Sequence, residues 1–297
     1  GCEAACRGFQ SYFSNLGLPV KIEVIDVAKD KSILPDIRRQ IISDNPDLVL
    51  TWGTSVSVGI IGKKSEFGDK SALGDIPAVF MIVADPVGSN IVESYEKSGR
   101  LTVTGVRNRV PEKVQLNLMF EYYHPKKLGV LYDPNELNSK LNTEKLETLS
   151  AEMNFELLVH EYKADSDGFV DENQIPTAIK SIKDLGATAI YVGSSSYNLV
   201  HQKLFVDSAS ELGLPVFSAY GKMVQEAGAV MAVATRYFNV GKLAAAQAAE
   251  ILFKNGEPSQ MPIKSLDRFT LFVNMGTAKK IGLYPPLSIL KVAEIVK

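Results

Sequence analysis

Along this chain, short apolar runs alternate with stretches whose apolar residues recur every three or four positions. Glu3 to Leu16 carries Ala5, Phe9, Tyr12, Phe13 and Leu16 at helical spacing, with Gly17 and Pro19 as a stop. Val20 to Asp26 alternates like a strand, and Ser32 to Ser43 reads as a second helix. Leu48 to Leu50 is a short buried strand led in by Asp44-Asn45-Pro46. Residues 53–57, Gly-Thr-Ser-Val-Ser, then form a strand-to-helix turn rich in small hydroxyl residues. Pro77 to Val83 is continuously apolar, as a strand buried on both faces must be, and it runs into Ala84-Asp85-Pro86-Val87-Gly88. The charged, Gly-containing stretch 62–75 between them reads as an exposed loop, and Leu101 to Val106 as a further strand.

A second cycle of the same kind begins after Pro111. Helices are expected over 112–123, 144–153, 175–185 and 199–212, and strands over 128–132, 155–160, 189–192 and 216–217. The tail adds a long Ala-rich helix over 240–253, extended crossings over 263–273, a short helix at 278–281 and a last element over 289–296. Strands alternating with helices predict an α/β fold of two Rossmann-like lobes, each a doubly wound parallel sheet. The first lobe is expected over 1–107 plus about 236–264, and the second over 108–235 plus about 265–297.

Composition narrows the function classes. The 297 residues are 45% hydrophobic, enough to fill two cores. A net charge of −2 gives no electrostatic case for nucleic acid or an anionic membrane. No apolar run approaches the roughly 20 residues of a membrane span. The chain as given opens on polar Gly1-Cys2-Glu3 with no signal peptide, a picture that a cleaved leader would also leave. Cys2 and Cys6, four residues apart, read as two half-buried thiols on the first helix rather than a disulfide, and a lipid on Cys2 is the other reading.

In a doubly wound sheet, ligands sit outside the carboxyl ends of the strands, where both candidate loops lie. The 53–57 turn offers backbone N–H groups, hydroxyls and the positive end of a helix dipole, a seat for a carboxylate or phosphate. The plain alternative is that Thr54 or Ser55 only caps the next helix. Catalysis is not supported. No G-x-S-x-G elbow surrounds Ser194–Ser196, His124, His160 and His201 are scattered, and Gly62-Lys63 lacks the glycine a P-loop needs. No cofactor or metal is expected.

Taken in order, several segments carry a family resemblance. They are residues 1–9, Pro46-Asp47-Leu48-Val49, Trp52-Gly53-Thr54-Ser55, residues 84–88, Val103-Thr104-Gly105, residues 131–139, Leu214-Pro215-Val216-Phe217, and Asn274 with Ala278 and Gly282-Leu283. The chain resembles a type I periplasmic binding protein, the solute receptor of an ABC importer, of the tryptophan/tyrosine-type branch. The resemblance implies two lobes joined by a three-crossing hinge, a small amino-acid-like ligand in the cleft, an ABC permease as partner, and a monomeric protein in the periplasm or outside the cell, with a lipid anchor as an option. It implies that Thr54 and Ser55 hold the ligand's carboxylate and that Ala84 and Asp85 receive its ammonium. It places Asn135, Asn138, Ser139, Ser194, Ser195, Tyr197, Ala219 and Tyr220 on the facing lobe. Trp52 stacks on the ligand or serves as a core residue behind the loop. Turn chemistry is the alternative for Asp85, Asn135 and Asn138. The family opens with a strand before its first helix, whereas this chain opens in the helix, so the whole native N-terminus is not assumed present. The alternatives in function are the sensing half of a regulator or signalling receptor, which shares the fold, and an α/β enzyme.

Overall fold

A computed structural model describes residues 3–27, 30–166 and 168–296. The chain forms two compact units, residues 1–109 with 235–267 and residues 110–234 with 268–297, and passes between them three times.

The first unit opens with α1 (Glu3–Leu16) and α2 (Leu34–Asp44), then β1 (Val49–Trp52), α3 (Thr54–Ile61), the single turn α4 (Lys64–Phe67), β2 (Ala78–Val83) and β3 (Val103–Arg107). The chain then enters the second unit with α5 (Glu112–Tyr122), β4 (Lys127–Tyr132), α6 (Leu137–Met153), β5 (Glu156–Glu161), α7 (Gln174–Asp184) and β6 (Ala189–Val192). It continues there with α8 (Ser196–Val200), α9 (Gln202–Glu211), β7 (Val216–Ser218) and β8 (Met231–Ala234). It returns to the first unit as α10 (Tyr237–Lys254) and finishes in the second with β9 (Thr270–Asn274), α11 (Met275–Ile281), α12 (Leu287–Leu290) and β10 (Glu294–Val296).

In the first unit the sheet order is β1-β2-β3, all parallel. Every residue of β2 is buried, because the sheet is covered on both faces. Ala78 and Phe80 pack with Leu34, Ile60 and Ile61 on one side, while Val79 and Met81 pack with α1 and α10 on the other. The α1–α10 pair is close enough for backbone to touch backbone at Gly8 and Gly241. In the second unit the order is β10-β9-β8-β7-β6-β4-β5. Its strands also alternate between two cores, with Ile190 and Val192 on one face and Ala189 and Tyr191 on the other.

Several local expectations need correction. Residues 20–26 alternate like a strand but pair with nothing in the β1-β2-β3 sheet, and Val24 and Ile25 are exposed. A period-2 pattern makes a strand only where another backbone lies alongside to complete the ladder. The stretch 62–75 is not simply an exposed loop. Ser71 and Leu73 are buried, α4 interrupts it, and Arg100 binds its carbonyls. The second sheet is not wholly parallel, since β9 runs antiparallel to β8 and carries β10 with it. The chain re-enters that unit from the other one at this point, so no crossover helix within the sheet dictates β9's direction. Finally, α6 begins seven residues earlier than its apolar spacing indicates, which puts Asn138 and Ser139 in its first turn.

Cys6 is disulfide-bonded, not a free thiol. The expectation rested on both cysteines lying inside one helix, and the described helix begins at Glu3. Cys2, and with it the lipid-modification reading, lies outside the described residues.

Candidate functional site

In the first unit the candidate residues come directly after β1 and β2, which lie side by side. Gly53 reaches φ 86°, which a side chain would resist, and so turns the chain sharply from β1 into α3. It is the N-cap, and no side chain caps the helix. The capping alternative for Thr54 and Ser55 is therefore not realised. Thr54 is buried and Ser55 half-buried at the open amino end of α3. The first N–H to find a carbonyl within the helix is that of Ser57, on Gly53 O at 3.0 Å. Ser57 itself is spent: its hydroxyl lies 2.8 Å from both Gly53 O and the Thr51 hydroxyl. Trp52 packs on the α1–α10 core, and its indole N–H is buried without a partner among the described residues.

Ala84 is buried and Asp85 half-buried after β2. Asp85 does turn chemistry in part. Its Oδ1 accepts from Gly88 N at 2.8 Å and from the Tyr95 hydroxyl at 3.2 Å. Its other oxygen has no hydrogen bond among the described residues.

In the second unit a buried polar network ties together the loops after β4 and β6. Glu136, 9% exposed, accepts from the Ser195 hydroxyl at 3.2 Å, Ser196 N at 3.1 Å and Tyr197 N at 3.2 Å. Burial raises its pKa above the usual carboxylate range, and these three donors act in the opposite direction. Asn138 Nδ2 donates to Ser194 O at 2.9 Å, and Asn142 Oδ1 accepts from Ser194 N at 3.2 Å. Asn142 lies so close to Gly193 that a Cβ there would fall 1.7 Å from Oδ1. The Ser195 hydroxyl also accepts from Asn198 N at 3.1 Å, capping α8. Ser139 is buried, and Asn135 reaches across to Gly168 O at 3.2 Å. The Tyr197 hydroxyl is buried with no partner among the described residues, its ring packed on Tyr162 and His201. Ala219 N donates to Val192 O at 2.8 Å and Tyr220 N to the Ser218 hydroxyl at 3.0 Å, fixing the loop after β7. The geometry thus brings Asn138, Ser194, Ser195 and Tyr197 into one cluster and leaves Asn135 on its exposed flank. Glu136, Asn142 and Asn198 are central to it and were not anticipated. The one cue in sequence was Glu136 standing among the expected loop residues.

Replacing Glu136 with Gln should cost about 1 kcal/mol, because an amide cannot accept on both sides and one part-buried N–H of 196–197 loses its partner. A fall in thermal midpoint of less than about 1 °C would mean that the carboxylate does not hold this loop.

Among the described residues no group of three or more His, Cys, Asp and Glu could hold a metal, and no helix is long and apolar enough to cross a membrane.

The chain is similar to a tyrosine-binding protein of Clostridioides difficile strain R20291, at 24% identity over 265 residues, 89% of this chain and 71% of that protein. Among solved structures, a conserved domain protein from Vibrio cholerae superposes with a TM-score of 0.86 at 23% identity, covering 100% of this chain and 95% of that one. An ABC domain from Streptococcus pneumonia in complex with L-Trp gives 0.84 at 22% identity, covering 100% and 96%. The fold is that of the type I periplasmic binding proteins. A family model described as ABC transporter substrate binding protein matches residues 2–297, so the chain belongs to that family, whose members are extracytoplasmic proteins that bind a solute rather than transform it.

Proposed function

We propose that this protein is the solute receptor of an ABC importer and that its ligand is an amino acid with an aromatic or branched side chain. The ligand binds in a cleft between the two units and draws them together, because some contacts form only when both units meet it. The closed form is then presented to the membrane permease by a single copy of the chain.

The observation that carries this reading is a pairing on adjacent strands. The uncapped amino end of α3 at Thr54–Ser55 offers donors, and Asp85 offers a carboxylate oxygen that no other described group uses. A zwitterion leaving water needs charge-assisted partners at both ends. The loop residues of the second unit, Asn135, Asn138, Ser139, Ser194, Ser195, Tyr197, Ala219 and Tyr220, supply the opposing wall. The likeness to a tyrosine-binding protein and to a domain holding L-Trp supports an aromatic side chain.

Titration with a panel of amino acids, followed by Trp52 emission and by calorimetry, tests this directly. Saturable binding of aromatic or branched amino acids is expected. Thr54→Ala and Asp85→Ala should each weaken it at least tenfold, or about 1.4 kcal/mol. Unchanged affinity in both variants would overturn the placement, and no heat with any amino acid would overturn the ligand class.

A further inference from the structure

Asp85 does not stand alone. Tyr95 lies ten residues on, half-buried, and its hydroxyl donates to Asp85 Oδ1 at 3.2 Å. The guanidinium of Arg107, the last residue of β3, lies 4.4 Å from the centre of the Tyr95 ring. Arg107 has no carboxylate partner among the described residues, so its cation is spent on the ring. The backbone of the same short segment holds both residues: Ile263 N donates to Tyr95 O at 2.9 Å and Arg107 N to Lys264 O at 2.9 Å. Across the sheet, Arg107 pairs in register with Val83.

The strand that delivers Asp85 is itself distorted. The β2–β3 register shifts between Phe80 and Val83, and Ile82 sits at φ 56°, a conformation that a β-branched side chain strongly resists. Such strain persists only where the surroundings over-determine the backbone, and it clusters at ligand sites. Here it re-aims the chain three residues before Asp85.

We propose that Tyr95, backed by Arg107, is a positioning residue for the ligand's ammonium group. Tyr95 and Gly88 N occupy one oxygen of Asp85 and lock the carboxylate's rotation, which leaves the other oxygen presented as an acceptor. The ring is held in turn by the cation over its face, so the pair sets discrimination for an amine without touching the ligand. This inference rests on the reading of Asp85 as the ammonium acceptor.

The test compares L-tryptophan with indole-3-propionate, which lacks only the amine, by calorimetry. Wild type should prefer L-tryptophan at least a hundredfold. Tyr95→Phe keeps the ring and its stack, and it should lower that preference at least tenfold by weakening L-tryptophan while leaving indole-3-propionate unchanged. In an Asp85→Ala background the same substitution should do nothing further. Arg107→Met should act like Tyr95→Phe, and Arg107→Lys should restore most of the preference. A preference in Tyr95→Phe equal to wild type overturns the positioning role and leaves the ammonium reading of Asp85 intact. An equal loss for both ligands also overturns it, since that is what general damage would produce. If wild type binds both without telling them apart, the reading of Asp85 falls and this inference with it; if it binds neither, the same comparison is made with L-leucine and 4-methylpentanoate, and binding of neither pair overturns both.

Discussion

Arg100→Met is expected to destabilise the first unit by about 4 kcal/mol, among the largest effects of any single substitution in the chain. Arg100 is 1% exposed and has no carboxylate partner among the described residues. Its guanidinium instead fills a ring of backbone carbonyls: Gly62 O at 2.7 Å, Lys70 O at 2.6 Å, Ile91 O at 3.1 Å and Ile61 O at 3.3 Å. Burial pushes its pKa down to about 10, which leaves it charged at neutral pH. Methionine would keep the packed stem but strand three carbonyls, those of Gly62, Lys70 and Ile91, while Ile61 O keeps its bond from Ala72 N at 2.8 Å. Lysine would restore the charge without the planar fork, and about half of the loss should remain. Urea denaturation followed by Trp52, the only tryptophan and a residue of the same unit, reads the effect. The midpoint should fall by about 2 M for methionine. A shift below about 0.3 M would show that the carbonyls find other partners.

The effect should also reach the candidate site. Ile91 N donates to Pro86 O at 3.0 Å, and Ser89 N to Asp85 O at 3.0 Å. Arg100 therefore clamps the far end of the loop that starts at Asp85.

The second large effect is expected where α1 meets α10. A Cβ on Gly8 would lie 1.9 Å from Phe238 O, and one on Gly241 would lie 1.9 Å from Ala5 O. Both obstacles are backbone, so no side chain can rotate away. Gly8→Ala or Gly241→Ala must push the helices apart, and each should cost about 3 kcal/mol of stability. Separation also opens space along Phe9, Val240, Ala244 and Ala248, which is why the cost exceeds ordinary crowding. The double variant discriminates. Once the helices have parted for one methyl, the second adds little, so the two losses should fall well short of additive. Strict additivity would mean that each glycine is accommodated locally, and the close-packed pair would then not be a unit.

Much of the fold is legible in the order of residues. The continuous apolar run of β2 has all six residues buried, and Gly17, Gly186 and Gly213 end helices in left-handed conformations, as their places after apolar periodicity indicate. The candidate loops are legible for the same reason, since each is the segment at the carboxyl end of a strand. The contacts that give those loops a shape are not. Arg100 binds carbonyls nine to 39 residues away, and Glu136 binds residues 59 to 61 away. Nothing in the neighbourhood of Arg100 marks it, and Glu136 is marked only by its place in a candidate loop. A charged side chain among polar neighbours reads as solvated surface until distant segments are seen to close over it. Tyr95 and Arg107 escape notice likewise, because three separate stretches must meet before the ring, the cation and Asp85 touch.

By itself, then, the sequence determined the order and kind of the elements: apolar period, glycine and proline are properties of adjacent residues and act over a few positions. Tertiary structure decided which of those elements found partners. It left the alternating segment 20–26 without a ladder, set β9 antiparallel to β8, buried Arg100, and held Ile82 in a conformation its own side chain opposes. Each of these outcomes depends on backbone groups supplied from far along the chain, whose satisfaction outweighs local preference.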